Sequence, residues 1–244
     1  MAETVTAVPD DVPIVFVHGL GGASSIDYAG FGPSFAGHRC VLVDLPGSGG
    51  SAIGTSCDLS IGGLARHVAE VLRNGNVSRA VLFGHSMGGA VVTSLAALWP
   101  ELVAGVLLTE SNLDPGGGTW SRRIARFSEA DFASHGYGEL IAEQQRECPT
   151  WAHTVALSSP LALHREAVSL IAGTAPTWRE TLYGLQCPKF YVFGDKNLPD
   201  PDADELPRHG VEVLTVENAG HNMAYDNPSG LAEVVAHCLA QLPD

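Results

Sequence analysis

"FGHSMGGA", residues 83–90, sets one serine among glycines where the apolar run "RAVLFG" (79–84) meets "MGGAVVTSLAALWP" (87–100). The first stretch reads as a buried strand and the second as a helix stopped at Pro100. Gly84-His85-Ser86-Met87-Gly88 therefore fits G-x-S-x-G in the strand–turn–helix context that makes the pattern informative. A sharp turn there lifts the serine above the sheet edge. It also brings backbone so close that side chains at Gly84 and Gly88 would clash. The N-terminus of the helix then faces the same point and favours negative charge developing there. A capping serine in a glycine-rich turn is the plainer reading, and the strand-to-helix context weighs against it.

Strands and helices alternate on either side of this turn. "VPIVFVHG" (12–19), "HRCVLVDLPG" (38–47) and "VAGVLLTE" (103–110) read as further strands. "SIGGLARHVAEVLRNG" (60–75) reads as a helix capped by Ser60, with Leu64, Val68 and Leu72 at four-residue spacing and Gly75 at its end. From Leu113 to Leu185 no strand is expected. "SEAD" (128–131) and "TWRE" (177–180) there have capping-box spacing, and "LDPGGG" (113–118) is the expected hinge. The alternation resumes with "KFYVFGD" (189–195), "VEVLTVENAG" (211–220) and the helix "PSGLAEVVAHCLAQL" (228–242). The expected fold class is α/β, a mostly parallel sheet with helices on both faces. Residues 1–112 and 186–244 make its core, and 113–185 a helical insertion.

Bulk properties narrow the function. At 244 residues and 45% hydrophobic content the chain builds one sizeable core. A formal charge of −14 without a basic tract argues against nucleic acid and anionic membrane as partners. Cys40, Cys57, Cys148, Cys187 and Cys238 are scattered and odd in number, which fits reduced thiols better than a disulfide framework or a zinc site. No metal and no cofactor are expected. The acidic start "MAETVTAVPDDVP" lacks the layout of a signal peptide, and no apolar stretch is long enough to span a bilayer. The expected location is the cytoplasm, with a homodimer as the candidate assembly.

A serine hydroxyl needs a base to accept its proton. His221, in "ENAGHNMAYDNP" (217–228), follows the last expected strand and so falls at the carboxyl end of the sheet, where sites in open α/β folds lie. His85 is adjacent to Ser86, but the turn should aim it elsewhere. His18 is expected to order its own loop.

Together, "HGLGG" (18–22), "DLPGSGGS" (44–51), "GHSMGG" (84–89) and "GHNMAYDNP" (220–228) resemble the α/β-hydrolase family over nearly the whole chain. The resemblance implies that 113–185 is a cap over the site. It also implies an oxyanion hole built from the N–H groups of Met87 and Leu20. A phosphate-binding reading of "HGLGG" lacks the GK[ST] ending.

The acid departs from the family pattern. The usual Gly-x-x-Asp element is here Gly194-Asp195-Lys196-Asn197, with a neutral residue at the acidic position. Glu110 ends the strand after the nucleophile helix and keeps the chain order Ser, Glu, His, an arrangement that some family members resemble. It is the preferred acid and Asp195 the alternative; Asp200 and Asp202 lie further along the loop.

These residues imply acyl transfer to Ser86 from an ester or lactone of a small, hydrophobic molecule, then hydrolysis of the acyl-enzyme. A thioesterase, a carbon–carbon bond hydrolase and a slow-turnover lactone receptor remain as alternatives. A serine nucleophile argues against epoxide or haloalkane chemistry. Trp120, Trp151, Trp178 and Tyr183 are the candidate substrate-binding residues. Arg122, Arg123 and Arg126 are expected on a solvated helix face.

Overall fold

The computed structural model describes residues 12–31, 39–54 and 56–242; residues 1–11, with most of the acidic start, lie outside them. Six short apolar runs form one parallel sheet: β1 (Ile14–Val17), β2 (Cys40–Val43), β3 (Ala80–His85), β4 (Val103–Thr109), β5 (Lys189–Gly194) and β6 (Glu212–Val216). Their order is β2-β1-β3-β4-β5-β6. β3 is thus central, paired with β1 on one side and β4 on the other.

Alternating side chains feed two cores, as strand pleating requires. Val15 and Val17 join Leu82, Leu108 and Phe193 on the face covered by α2 (Ile61–Asn74) and α3 (Met87–Leu98). Ile14 and Phe16 join Phe83, Leu107 and Val192 on the face covered by α11 (Pro228–Leu239). The short α1 (Ser24–Asp27) follows β1. Ser60 caps α2 by accepting from the N–H of Gly63, and Leu64, Val68 and Leu72 are fully buried.

Between β4 and β5 the described chain is helical and contains no strand. It runs through α4 (Thr119–Ile124), α5 (Glu129–Asp131), a π-helical turn, α6 (Tyr137–Glu147), α7 (Pro149–Ala156), α8 (Pro160–Ala172) and α9 (Trp178–Gly184). Ser128 accepts from the N–H of Asp131, and Thr177 and Glu180 close a full capping box. Arg179 binds Asp114 with Nη2–Oδ2 2.6 Å and Asp202 with Nη1–Oδ1 2.7 Å, and its N–H donates to the carbonyl of Leu113. One guanidinium thus joins the start of the helical segment, its last helix and α10 (Asp202–Glu205).

α8 lays Ala162, Glu166 and Leu170 at four-residue spacing along one face. Ala162 and Leu170 join the core shared with α2. Glu166 is fully buried there, and neither carboxylate oxygen has a hydrogen-bond partner among the described residues. Burial pushes its carboxyl up to about 8, so it is neutral near pH 7.

Candidate active site

Ser86 sits between β3 and α3 with φ 52° and ψ −120°. That conformation costs a non-glycine residue about 1–3 kcal/mol and persists only where surrounding bonds hold it. Here the Ser86 N–H donates to the Thr109 carbonyl at 2.9 Å. Its own carbonyl accepts from the N–H groups of Gly89 and Asn112 and from the Ser111 hydroxyl. A Cβ on Gly84 would lie 2.6 Å from the Gly88 carbonyl oxygen, and one on Gly88 2.3 Å from that of Val17. The glycines are what let the turn close.

The next residue supplies an N–H at the start of α3, Met87, and the loop after β1 supplies a second, Leu20. Neither N–H has a hydrogen-bond acceptor among the described residues. The Leu20 carbonyl accepts from Trp151 Nε1 at 2.9 Å, which fixes that peptide's orientation. His18 holds the loop as the sequence implies: it is fully buried, its Nδ1 meets the Gly19 carbonyl at 2.8 Å, and its Nε2 accepts from the Leu45 N–H. Burial lowers its pKa, consistent with a neutral ring bonded through both nitrogens.

Glu110 follows β4 with φ 45°. Its Oε1 accepts from the Gly194 N–H at 2.8 Å, and its Oε2 lies 3.9 Å from His221 Nδ1. That separation is an electrostatic contact rather than a closed hydrogen bond, and such contacts are commonly long before substrate binds. Burial raises the Glu110 pKa, but the His221 imidazole, the neighbouring Asn197 side chain and the hydrogen bond from Gly194 outweigh it and hold the carboxyl below its usual range. The Glu110 side chain is 11% exposed and His221 52%.

The loop carrying His221 is pinned on both sides of the ring. Asp195 Oδ1 accepts from the Ala219 N–H at 3.0 Å, and Asp226 Oδ2 from the Gly220 N–H at 2.7 Å. Asp195 is therefore committed to backbone and does not contact His221. Asp200 accepts from the Asp202 N–H, and Asp202 pairs with Arg179. The structure brings Glu110, not these aspartates, to the histidine.

Ser86, His221 and Glu110 line one cavity of about 420 Å³ together with Gly19, Leu20 and His85. His85 is not aimed away from the site, contrary to expectation. Its ring lies 4.8 Å from that of His221 and its Nδ1 is 3.0 Å from Thr109 Oγ1. Burial, then the neighbouring His221, pushes the His85 imidazole down to about 3.

The helical segment contributes Trp120, Trp151, Gln144 and Cys148 to the lining, with the two indoles 5.4 Å apart. Trp178 and Tyr183, expected beside them, are elsewhere. Trp178 is 1% exposed and donates from Nε1 to Ser94 on α3; it packs the helices onto the sheet. Tyr183 stacks on His209 at 3.8 Å. Arg122 binds the carbonyls of Gly116 and Gly117, Arg123 pairs with Glu143, and Arg126 is exposed; none lines the cavity.

Sequence reasoning missed Asp27, Gln144 and Tyr225 in the lining. Asp27 and Gln144 lie in no motif, and Tyr225 lies in the stretch 220–228 without a role that the pattern specifies; tertiary placement reveals all three. Asp27 accepts from the Tyr225 hydroxyl at 2.5 Å and from the Ala23 N–H. Among the described residues no three His, Cys, Asp or Glu side chains are grouped as a metal ion requires. No helix among them is long and apolar enough to cross a membrane.

Residues 14–234 match the model of a family described as the alpha/beta hydrolase family. Among curated proteins, the chain is 27% identical over a 259-residue alignment to a 2-succinyl-6-hydroxy-2,4-cyclohexadiene-1-carboxylate synthase of Salmonella schwarzengrund (strain CVM19633), covering 98% of each chain. Among solved structures, it resembles a malate-bound thermophilic esterase from Thermogutta terrifontis, with TM-score 0.77 and 20% identity over 94% of this chain and 90% of that one. A mutant of the N-acyl homoserine lactonase AidH complexed with N-hexanoyl homoserine superposes with TM-score 0.72 and 22% identity, covering 96% and 91%.

Proposed function

The chain belongs to the alpha/beta hydrolase family, and on that premise we propose that it is a serine hydrolase that cleaves a carboxylic ester or lactone of a small, largely hydrophobic molecule. The observation that carries the reading is the convergence of Ser86 on its strained turn with His221 and Glu110 around one cavity.

In this mechanism the Ser86 hydroxyl attacks the ester carbonyl while His221 takes its proton. The carbonyl oxygen becomes an oxyanion received by the N–H groups of Met87 and Leu20, which have no competing acceptor among the described residues. Collapse breaks the bond to the alcohol oxygen, which takes the proton from His221. Water then attacks the acyl-serine with His221 as base, and the carboxylic acid leaves. Glu110, acting through Nδ1 of His221, orients the ring and stabilises its charged form. The helical segment between β4 and β5 acts as a cap that shapes the cavity.

The sequence relatives support a second reading. They are named as synthases of a compound whose name includes a carboxylate, and 98% of each chain aligns. No lysine or arginine lines the cavity to receive such a group, so the ester reading is preferred.

A fluorophosphonate probe and a panel of simple esters and lactones test the proposal. Covalent labelling of Ser86 with multiple turnovers is expected, both lost in Ser86→Ala. Labelling that persists unchanged in that variant overturns the assignment.

A further inference from the structure

The cavity holds two carboxylates and no cation. Asp27 and Glu110 line it, whereas none of the 13 lysines and arginines does, and all of these lie among the described residues. Both carboxylates are already engaged, Asp27 by Tyr225 and Ala23, Glu110 by Gly194. An anionic group entering would lose its water beside two like charges with nothing to pair it. A cationic group would have to compete for oxygens that already accept hydrogen bonds.

Among the neutral polar groups, Gln144 is distinctive. α6 buries it to 2% exposure, yet it lines the cavity. Its Nε2 faces Glu147 Oε2 at 3.4 Å, and its carbonyl oxygen has no donor among the described residues. That oxygen is not sealed from solvent but open to the cavity that Gln144 lines, and a ligand donor entering there is the group that would match it.

Building on the hydrolase reading above, we propose that the site selects an uncharged substrate that presents a hydrogen-bond donor, an amide N–H or a hydroxyl, to Gln144, and that it excludes carboxylate-bearing ones. The indoles of Trp120 and Trp151 receive the apolar remainder. Gln144 sets selectivity and has no part in the bond-breaking steps.

Two matched ester series of similar length test this, with the acyl chain or the alcohol chain ending in a methyl, an acetamide or a carboxylate. In at least one series kcat/KM for the acetamide should exceed that for the methyl compound by about tenfold. The carboxylate compound should fall at least about tenfold below the methyl compound in both. Gln144→Leu should remove the acetamide preference, with Gln144→Met as the second variant if the first misfolds. Asp27→Asn should narrow the carboxylate penalty. If no ester turns over, protection of Ser86 from fluorophosphonate by the same compounds should follow the same order. Equal behaviour of the three ends in both series, or an acetamide preference unchanged without Gln144, overturns the inference. Failure of Ser86 to label at all overturns the hydrolase reading instead.

Discussion

The Asn197 side chain lies beside Glu110, the carboxylate that also faces His221, and helps hold that carboxyl below its usual range. The neutral residue after β5 thus faces a carboxylate that follows the neighbouring strand β4. Asparagine is suited to this task, since an aspartate there would set two carboxylates against each other.

Glu110→Gln should therefore lower kcat by on the order of 10²- to 10⁴-fold with little change in KM, because the lost charge matters most when His221 is protonated. Asp195→Asn should be mild, since its carbonyl oxygen can still accept from Ala219. Asn197→Asp alone should shift the acid limb of the rate profile upward, as one of two facing carboxylates holds a proton. Combined with Glu110→Gln it should restore part of kcat. Steady-state kinetics on refolding-checked variants decide these outcomes; a crippling Asp195→Asn beside a silent Glu110→Gln would return the acid to the later loop.

His85 should remain uncharged throughout the working range, because burial holds it near pH 3. Its ring-proton NMR shifts should stay flat from pH 4.5 to 8. The sign of its stability effect follows from the depressed pKa: the unfolded chain takes up the proton first on acidification. Stability from this group is therefore present above about pH 6.5 and is lost as pH falls toward 3. A titration midpoint near neutrality would show that the ring is hydrated.

Trp151→Phe should keep the aromatic contact with Trp120 but delete the hydrogen bond to the Leu20 carbonyl. A fall in kcat of about three- to tenfold is expected, the equivalent of one modest hydrogen bond. Thermal melting should move little. A change confined to KM would mean that the indole serves only as cavity wall.

Glu166 should make the protein less stable as pH rises. Its folded pKa, about 8, lies above the unfolded value near 4.5, so between these values the native state binds more proton. Its penalty is absent below about pH 4.5 and grows to its full size above about pH 8. Glu166→Gln should remove the penalty, gaining on the order of a few kcal/mol relative to the parent at pH 9 and little at pH 5. Denaturant titrations at both pH values measure it, and equal differences would show the carboxylate to be solvated.

How far the sequence reaches is clearest when residues are compared in pairs. Ser60 and Leu64 were legible because capping and four-residue spacing are local properties, and α2 forms over Ile61–Asn74 as they imply. Ser86 and Gly88 were legible because backbone crowding leaves its mark as glycine. Trp120 and Trp178 could not be told apart, since both open short helices in the same segment. One meets the cavity and the other meets Ser94 on α3, a choice made by helix packing across long separations. His85 misled for a related reason: the turn directs Ser86 upward, but the bond to Thr109 on the adjacent strand turns the preceding ring back toward His221. Gln144 had no local signature because a buried polar residue and an exposed one look alike in a helix.

The clamp made by Arg179 bears on how such a molecule changes over time. Asp114 and Arg179 stand at the two ends of the helical excursion, and Asp202 anchors both to the sheet side. The chain therefore departs and returns at one place. Such closely spaced ends are where insertions are tolerated, since a change in the excursion's length need not displace a strand. The helical excursion supplies Trp120, Gln144 and Trp151 to the cavity wall, while the turn at Ser86 and the loop at His221 are held by the sheet. Residues 115–178 can therefore be rewritten, and that part of the cavity wall reshaped, provided the replacement still packs where Ala162, Leu170 and Trp178 now do.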